Sequence, residues 1–129
     1  MLGSGDAIRC MRDATRGGVA TVLNELVQSS GVEIIDENAV PVREAVLAAC
    51  EILGLDPLYV ACEGRLVAIV RQAHANRVLD AMRRHPLGAS ACLIGRVTAS
   101  NESRVLLRTA FGPTRLLDVL AGEQLPRIC

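Results

Sequence analysis

Ala7-Ile8-Arg9-Cys10-Met11-Arg12-Asp13-Ala14-Thr15-Arg16-Gly17-Gly18-Val19-Ala20-Thr21-Val22-Leu23 is the stretch on which the fold turns. Ala7 to Met11 alternates apolar and polar residues, the period of a half-buried strand. Arg12 to Gly18 follows as a compact turn with three charges and two glycines. From Val19 the period changes. Val19, Val22, Leu23, Leu26 and Val27 fall at i, i+3, i+4, i+7 and i+8, one apolar stripe of a helix. Gly31 stops it.

Working outward, Val32 to Asp36 reads as a β-branched strand, followed by a polar loop from Glu37 to Ala39. Pro41 suits the first turn of a second helix, with Val42, Ala45, Val46, Ala49, Cys50 and Leu53 as its buried stripe and Gly54 as its close. Asp56 to Glu63 is irregular. Gly64 turns the chain into Leu66-Val67-Ala68-Ile69-Val70, an unbroken apolar run that predicts a central strand. Ala73 to Arg84 is a third helix with Val78, Leu79 and Met82 facing inward, ended by His85-Pro86-Leu87-Gly88. Strands follow at Ala91 to Val97 and Arg104 to Leu107, joined through the turn residues Ser100, Asn101 and Ser103. Phe111 to Thr114 is a second turn, and Arg115 to Leu120 a last strand or short helix. The order predicts an α/β (α+β) domain, one mixed β-sheet with helices packed on it.

The 129 residues suffice for one domain with a real core. Lys plus Arg balance Asp plus Glu at 14 each, which argues against nucleic acid or an anionic membrane as partner. No apolar run approaches the roughly 20 residues of a membrane span. No export signal opens the chain, so a cytoplasmic location is expected. The five cysteines, Cys10, Cys50, Cys62, Cys92 and Cys129, form no C-x-x-C pair and show no zinc spacing with His74 and His85. No metal site is expected. Cys10, Cys50 and Cys92 stand among apolar neighbours as small core residues, and the two histidines sit at helix margins in surface or capping roles.

Three stretches can carry chemistry. The first is the end of the chain, Leu125-Pro126-Arg127-Ile128-Cys129, where residues 1–124 are read as the domain and residues 125–129 as a flexible tail. Pro126 is a natural exit from a folded body, and a terminal thiol there can be loaded with a small group and moved. An accident of where the chain stops explains the same residue. The second is the turn Arg12, Asp13, Thr15, Arg16, Gly17 and Gly18. Glycines before a helix allow close backbone approach, and the first N–H groups of the helix, its dipole and two arginines favour an anion. Asp13 and Thr15 are placed to cap the helix or to help hold a metal–phosphate. The turn is neither G-x-x-x-x-G-K nor G-x-G-x-x-G. The third is Cys62-Glu63-Gly64, a carboxylate at a strand end where a general base can sit; a solvated turn glutamate is the plainer account.

Taken together, Cys10-Met11-Arg12-Asp13-Ala14-Thr15-Arg16-Gly17-Gly18-Val19-Ala20-Thr21, Asn24-Glu25, Glu63-Gly64 and Pro126-Arg127-Ile128-Cys129 resemble the HypE family of hydrogenase maturation proteins, a branch of the group related to aminoimidazole ribonucleotide synthetase. The resemblance runs over essentially the whole chain. It implies the C-terminal α/β domain of a carbamoyl dehydratase, without the N-terminal ATP-binding domain, and hence a piece with no ATPase activity of its own. It further implies that a carbamoyltransferase loads Cys129, that ATP with Mg2+ dehydrates the S-carboxamide to a thiocyanate, and that the cyanide passes to iron on scaffold proteins for nickel–iron hydrogenase. By the same resemblance Cys129 is the carrier, Glu63 a base or orienting group, and Arg12 to Gly18 the phosphate side, in a full-length homodimer. Ala14 replaces the family's proline, which is expected to loosen the turn, and Cys62 replaces an asparagine. Two other readings are a module that only docks partners and a stand-alone anion-binding domain with an inert terminal cysteine.

Overall fold

The computed structural model describes residues 7–28 and 31–119. Along the chain run β1 (Ile8–Asp13), α1 (Gly18–Val27), β2 (Val32–Asp36), α2 (Glu44–Leu53), β3 (Leu66–Val70), α3 (Ala75–Arg83), β4 (Gly95–Thr98), β5 (Arg104–Arg108) and β6 (Thr114–Leu116). Short 3-10 turns lie at Glu37–Ala39, Pro57–Tyr59, Gln72–His74 and Pro86–Gly88. The order matches the one read from the sequence, with the last element a strand.

The strands form two sheets, which corrects the expectation of one. The larger has the order β4-β2-β5-β6. β2 runs parallel to β5 and antiparallel to β4, and β5 is antiparallel to β6, so this sheet is mixed as expected. β1 and β3 make a separate antiparallel pair, from Ile8 opposite Val70 to Asp13 opposite Leu66. The division follows from α1, which is apolar on two faces. Ala20, Leu23 and Val27 pack with Ile35, Val105, Leu107, Leu58 and Leu117 on the larger sheet side. Val22 and Leu26 pack with Ala14, Cys10, Val67 and Ile69 on the β1–β3 side. The helix is a wedge between two sheets, and its burial on both sides supplies much of the core.

Two burial expectations fail. β3 is not a central strand. Val67 and Ile69 face α1, whereas Leu66 is 53% exposed. Its unbroken apolar run does not mean that both faces are covered within this chain. α2 begins three residues after Pro41, and of its expected stripe only Cys50 is buried. Leu53 is 67% and Ile52 85% exposed. The helix touches the body at the Pro57–Tyr59 turn. Periodicity shows that a face is apolar, not what lies over it. In α3 the reading holds: Val78 is buried, and Leu79 and Met82 are half-buried. The tail from Leu125 to Cys129 lies outside the described residues.

Candidate functional site

Arg12 and Asp13 close β1 instead of opening the turn, which shortens the loop to the four residues between β1 and α1. Its anchor is Ala14, fully buried. The Ala14 N–H donates to the Arg65 carbonyl at 2.9 Å, and the Ala14 carbonyl accepts from the Cys62 N–H at 2.9 Å. These two bonds fasten the loop to the turn that carries Glu63, which reverses through Gly64 at φ +72. Two of the three candidate stretches, distant in sequence, therefore lie side by side. Proline has no N–H to donate, so alanine at this position supplies a backbone tie that the proline expected there could not make.

The two glycines adopt the left-handed region, Gly17 at φ +67 and Gly18 at φ +63, which glycine enters without steric cost. Gly17 is the N-cap of α1, and no side chain caps the helix. Neither Asp13 nor Thr15 fills the capping role expected of it. Asp13 is held in the strand, and the glycine pair makes the reversal unaided. A Cβ on Gly18 would stand 2.5 Å from the Leu58 carbonyl oxygen and 2.6 Å from that of Val60. The close approach that needs glycine is thus to protein backbone.

The side chains of Arg12, Asp13, Arg16 and Glu63 are exposed, and Thr15 is half-buried. Met11, Arg12, Asp13 and Leu66 line a shallow depression on the β1–β3 pair. A second depression, between Ile35, Asp36, Ile94, Arg96 and Arg108, contains none of the expected residues. The loop side offers two guanidinium groups and the start of a ten-residue helix, with one carboxylate on the strand end and another on the adjoining turn. Such a set suits a phosphate group and a proton acceptor beside it.

A polar network that the sequence reading missed adjoins this loop. Asp56 accepts from the Leu58 N–H at 2.9 Å and pairs with Arg115 at 2.9 Å. The Tyr59 hydroxyl donates to the Asp118 carbonyl at 2.6 Å. Burial, with the negative charge of Asp56 nearby, pushes the Tyr59 phenol above its ordinary value, and Arg115 opposes part of that rise. The Asn24 amide donates to the carbonyls of Ala20 and Leu117, both at 2.9 Å. Two signals were available: an asparagine inside a buried helix, where it is a poor former, and the turn-initiating pair Asp56-Pro57.

The remaining candidates are placed plainly. His85 accepts from the Leu87 N–H and caps a turn, as expected, and His74 is half-buried. Cys50 is buried, but Cys10 and Cys92 are only partly so. Burial raises the Cys92 thiol, which donates to the Ala39 carbonyl. Among the described residues no group of three or more His, Cys, Asp or Glu side chains is disposed to hold a metal ion. Among them, too, no helix is long and apolar enough to cross a membrane.

Comparison with known proteins agrees with this architecture. Residues 1–108 match the family described as AIR synthase related protein, C-terminal domain. The chain is 55% identical along its whole length to the carbamoyl dehydratase HypE of Azotobacter vinelandii and 52% identical to that of Rhodobacter capsulatus. It spans 38% of the length of each. A crystal structure of the hydrogenase maturation protein HypE in complex with ATP superposes with a TM-score of 0.90 at 47% identity, over all of this chain and 40% of that one. A HypE-HypF complex matches with a TM-score of 0.84 at 40% identity, over 90% of this chain and 38% of the other. The fold, the loop and the whole-length similarity lead to one conclusion: this chain belongs to the AIR synthase related family, as a C-terminal domain of the kind found in the HypE hydrogenase maturation proteins.

Proposed function

We propose that this chain is the C-terminal domain of an ATP-dependent carbamoyl dehydratase of hydrogenase maturation, and that Cys129 is its covalent carrier. The observation that carries the reading is the whole-length identity, above one half, to proteins named carbamoyl dehydratase. The residue set at the joined loops supports it. In this reading a carbamoyltransferase transfers its carbamoyl group to the Cys129 sulfur, which loses its proton; we put HypF in that place, from the HypE-HypF complex. The amide oxygen is a poor leaving group. It attacks the γ-phosphorus of ATP, ADP departs, and one nitrogen proton passes to a base. The carbon–oxygen bond then breaks, phosphate leaves with the oxygen, the second nitrogen proton is lost, and S–C≡N remains. The balance is one ATP and one carboxamide to one ADP, one phosphate and one thiocyanate.

Glu63 is the base or the group that orients it. Arg12, Arg16 and the helix start at Gly17 and Gly18 stabilise the charge of the moving phosphoryl group, with Asp13 and Thr15 on the same side. ATP binding by a solved HypE supports the nucleotide assignment. In this reading Mg2+ enters as the companion of ATP. The cyanide is delivered to iron on scaffold proteins, in the cytoplasm. Residues 1–124 are the domain and residues 125–129 the carrier tail, in a longer protein that supplies most nucleotide contacts and dimerises. By itself this chain then lacks ATPase activity. The uncovered apolar side of α2 favours a second role for the same domain, docking either a partner or the rest of the longer protein.

The test is Glu63→Gln in the full-length protein, with the carbamoyltransferase and ATP. Carbamoyl is expected to accumulate on Cys129 while its conversion to thiocyanate slows by about 100-fold or more. Conversion at the unsubstituted rate would remove Glu63 from the reaction.

A further inference from the structure

We propose that Asn24 and Tyr59 are positioning residues that anchor the root of the C-terminal tail beside the phosphate-side loop. The inference rests on the reading of Cys129 as carrier. Leu117 and Asp118, just ahead of the undescribed end, are held at successive backbone groups. The Leu117 N–H donates to the Val105 carbonyl at 2.9 Å. The Leu117 carbonyl accepts from Asn24 at 2.9 Å, and the Asp118 carbonyl accepts from the Tyr59 hydroxyl at 2.6 Å. Leu117 itself is fully buried against α1 and β5.

The two donors come from the elements that also build the loop. Asn24 stands on α1, the helix that starts at Gly18, and its other hydrogen bond, to Ala20, fixes the amide. Tyr59 lies in the Pro57–Tyr59 turn, between the Leu58 and Val60 carbonyls that leave no room for a Cβ on Gly18. A displacement of either element would move loop and tail root together. The segment from Val119 to Cys129 reaches at most roughly 40 Å when extended. On the carrier reading, a fixed root limits how far Cys129 can lie from the site, which raises its effective concentration there. Packing asks for neither polar group. An asparagine inside a helix is a poor former, and the Tyr59 ring would pack equally well without its hydroxyl.

The experiment uses the full-length protein and its Tyr59→Phe and Asn24→Ala variants. Two rates at Cys129 are followed by mass spectrometry: carbamoylation by the transferase, and conversion to thiocyanate with ATP. Hydrogen exchange of the peptide spanning Leu117 to Val119 and the unfolding temperature are read beside them. The expected result is faster exchange, carbamoylation within twofold of the unsubstituted protein, conversion slowed at least tenfold, and an unchanged KM for ATP. A merely structural role would lower both rates and the unfolding temperature together, and that result overturns the proposal. So does faster exchange with conversion unchanged. Absence of conversion in the unsubstituted protein overturns the carrier reading, and this inference with it, in a way that the variants alone cannot mimic.

Discussion

Gly17 and Gly18 share a backbone conformation but not a neighbourhood. A methyl on Gly17 would meet the side chain of Thr21, whose Oγ1 can turn away although its Cβ, at 2.9 Å, cannot; on Gly18 it would meet the backbone carbonyls of Leu58 and Val60 at 2.5 and 2.6 Å. Both changes carry the left-handed penalty of about 1–2 kcal/mol. Gly18→Ala should therefore cost clearly more than Gly17→Ala, above about 2 kcal/mol, and denaturant midpoints of the two variants decide it. Tyr59 gives a second prediction at this scale. Its phenol is raised in the folded protein, so the folded state binds more protons than the unfolded state on the alkaline side. The stability tied to it is complete below the ordinary tyrosine value, near 10, and is lost as pH rises through the folded value. Tyr59→Phe should flatten the decline of stability in that alkaline window. An equally steep decline in the variant would place the titrating group elsewhere. Residue chemistry was only partly legible in the sequence. The glycine pair and Glu63 were visible as motifs. The Asn24 and Tyr59 bonds join residues 93 and 59 positions apart, and no local pattern encodes such a pair.

α1 organises the elements because it is apolar on two sides. Leu23, 2% exposed, belongs to the core against the larger sheet. Leu23→Ala should cost about 2–5 kcal/mol, whereas Ile52→Ala on α2, at a side chain 85% exposed, should change stability by no more than about 0.5 kcal/mol. Equal losses in chemical denaturation would mean that α2 is covered in solution. The order of strands and helices was legible because the apolar period changes from two to 3.6 at the right places. The division into two sheets was not, since a stripe does not say how many surfaces it meets. The same limit explains α2 and β3. Both are apolar enough for a buried place, and within this chain neither has full cover.

At the scale of the whole molecule, α1 gathers three pieces: the Ala14 loop at its start, the Glu63 turn fastened to that loop, and the root of the tail at Asn24. Two of them were named from sequence, and their contact through Ala14, Cys62 and Arg65 was not foreseeable from residues so far apart. The chain spans 38% of the length of its Azotobacter vinelandii and Rhodobacter capsulatus relatives, and the proposed reaction is one of a longer protein. The carrier role of Cys129 is the claim on which the account depends. It is tested most directly by intact-mass and peptide mass spectrometry of the full-length protein. The protein is incubated with the carbamoyltransferase, carbamoyl phosphate and ATP, beside a Cys129→Ala control. The account predicts a carbamoyl-sized gain at Cys129 that ATP converts to the smaller cyano gain, with neither in the control. An unmodified Cys129, with the transferase shown active on another substrate, would contradict it and leave a docking or anion-binding domain as the better account.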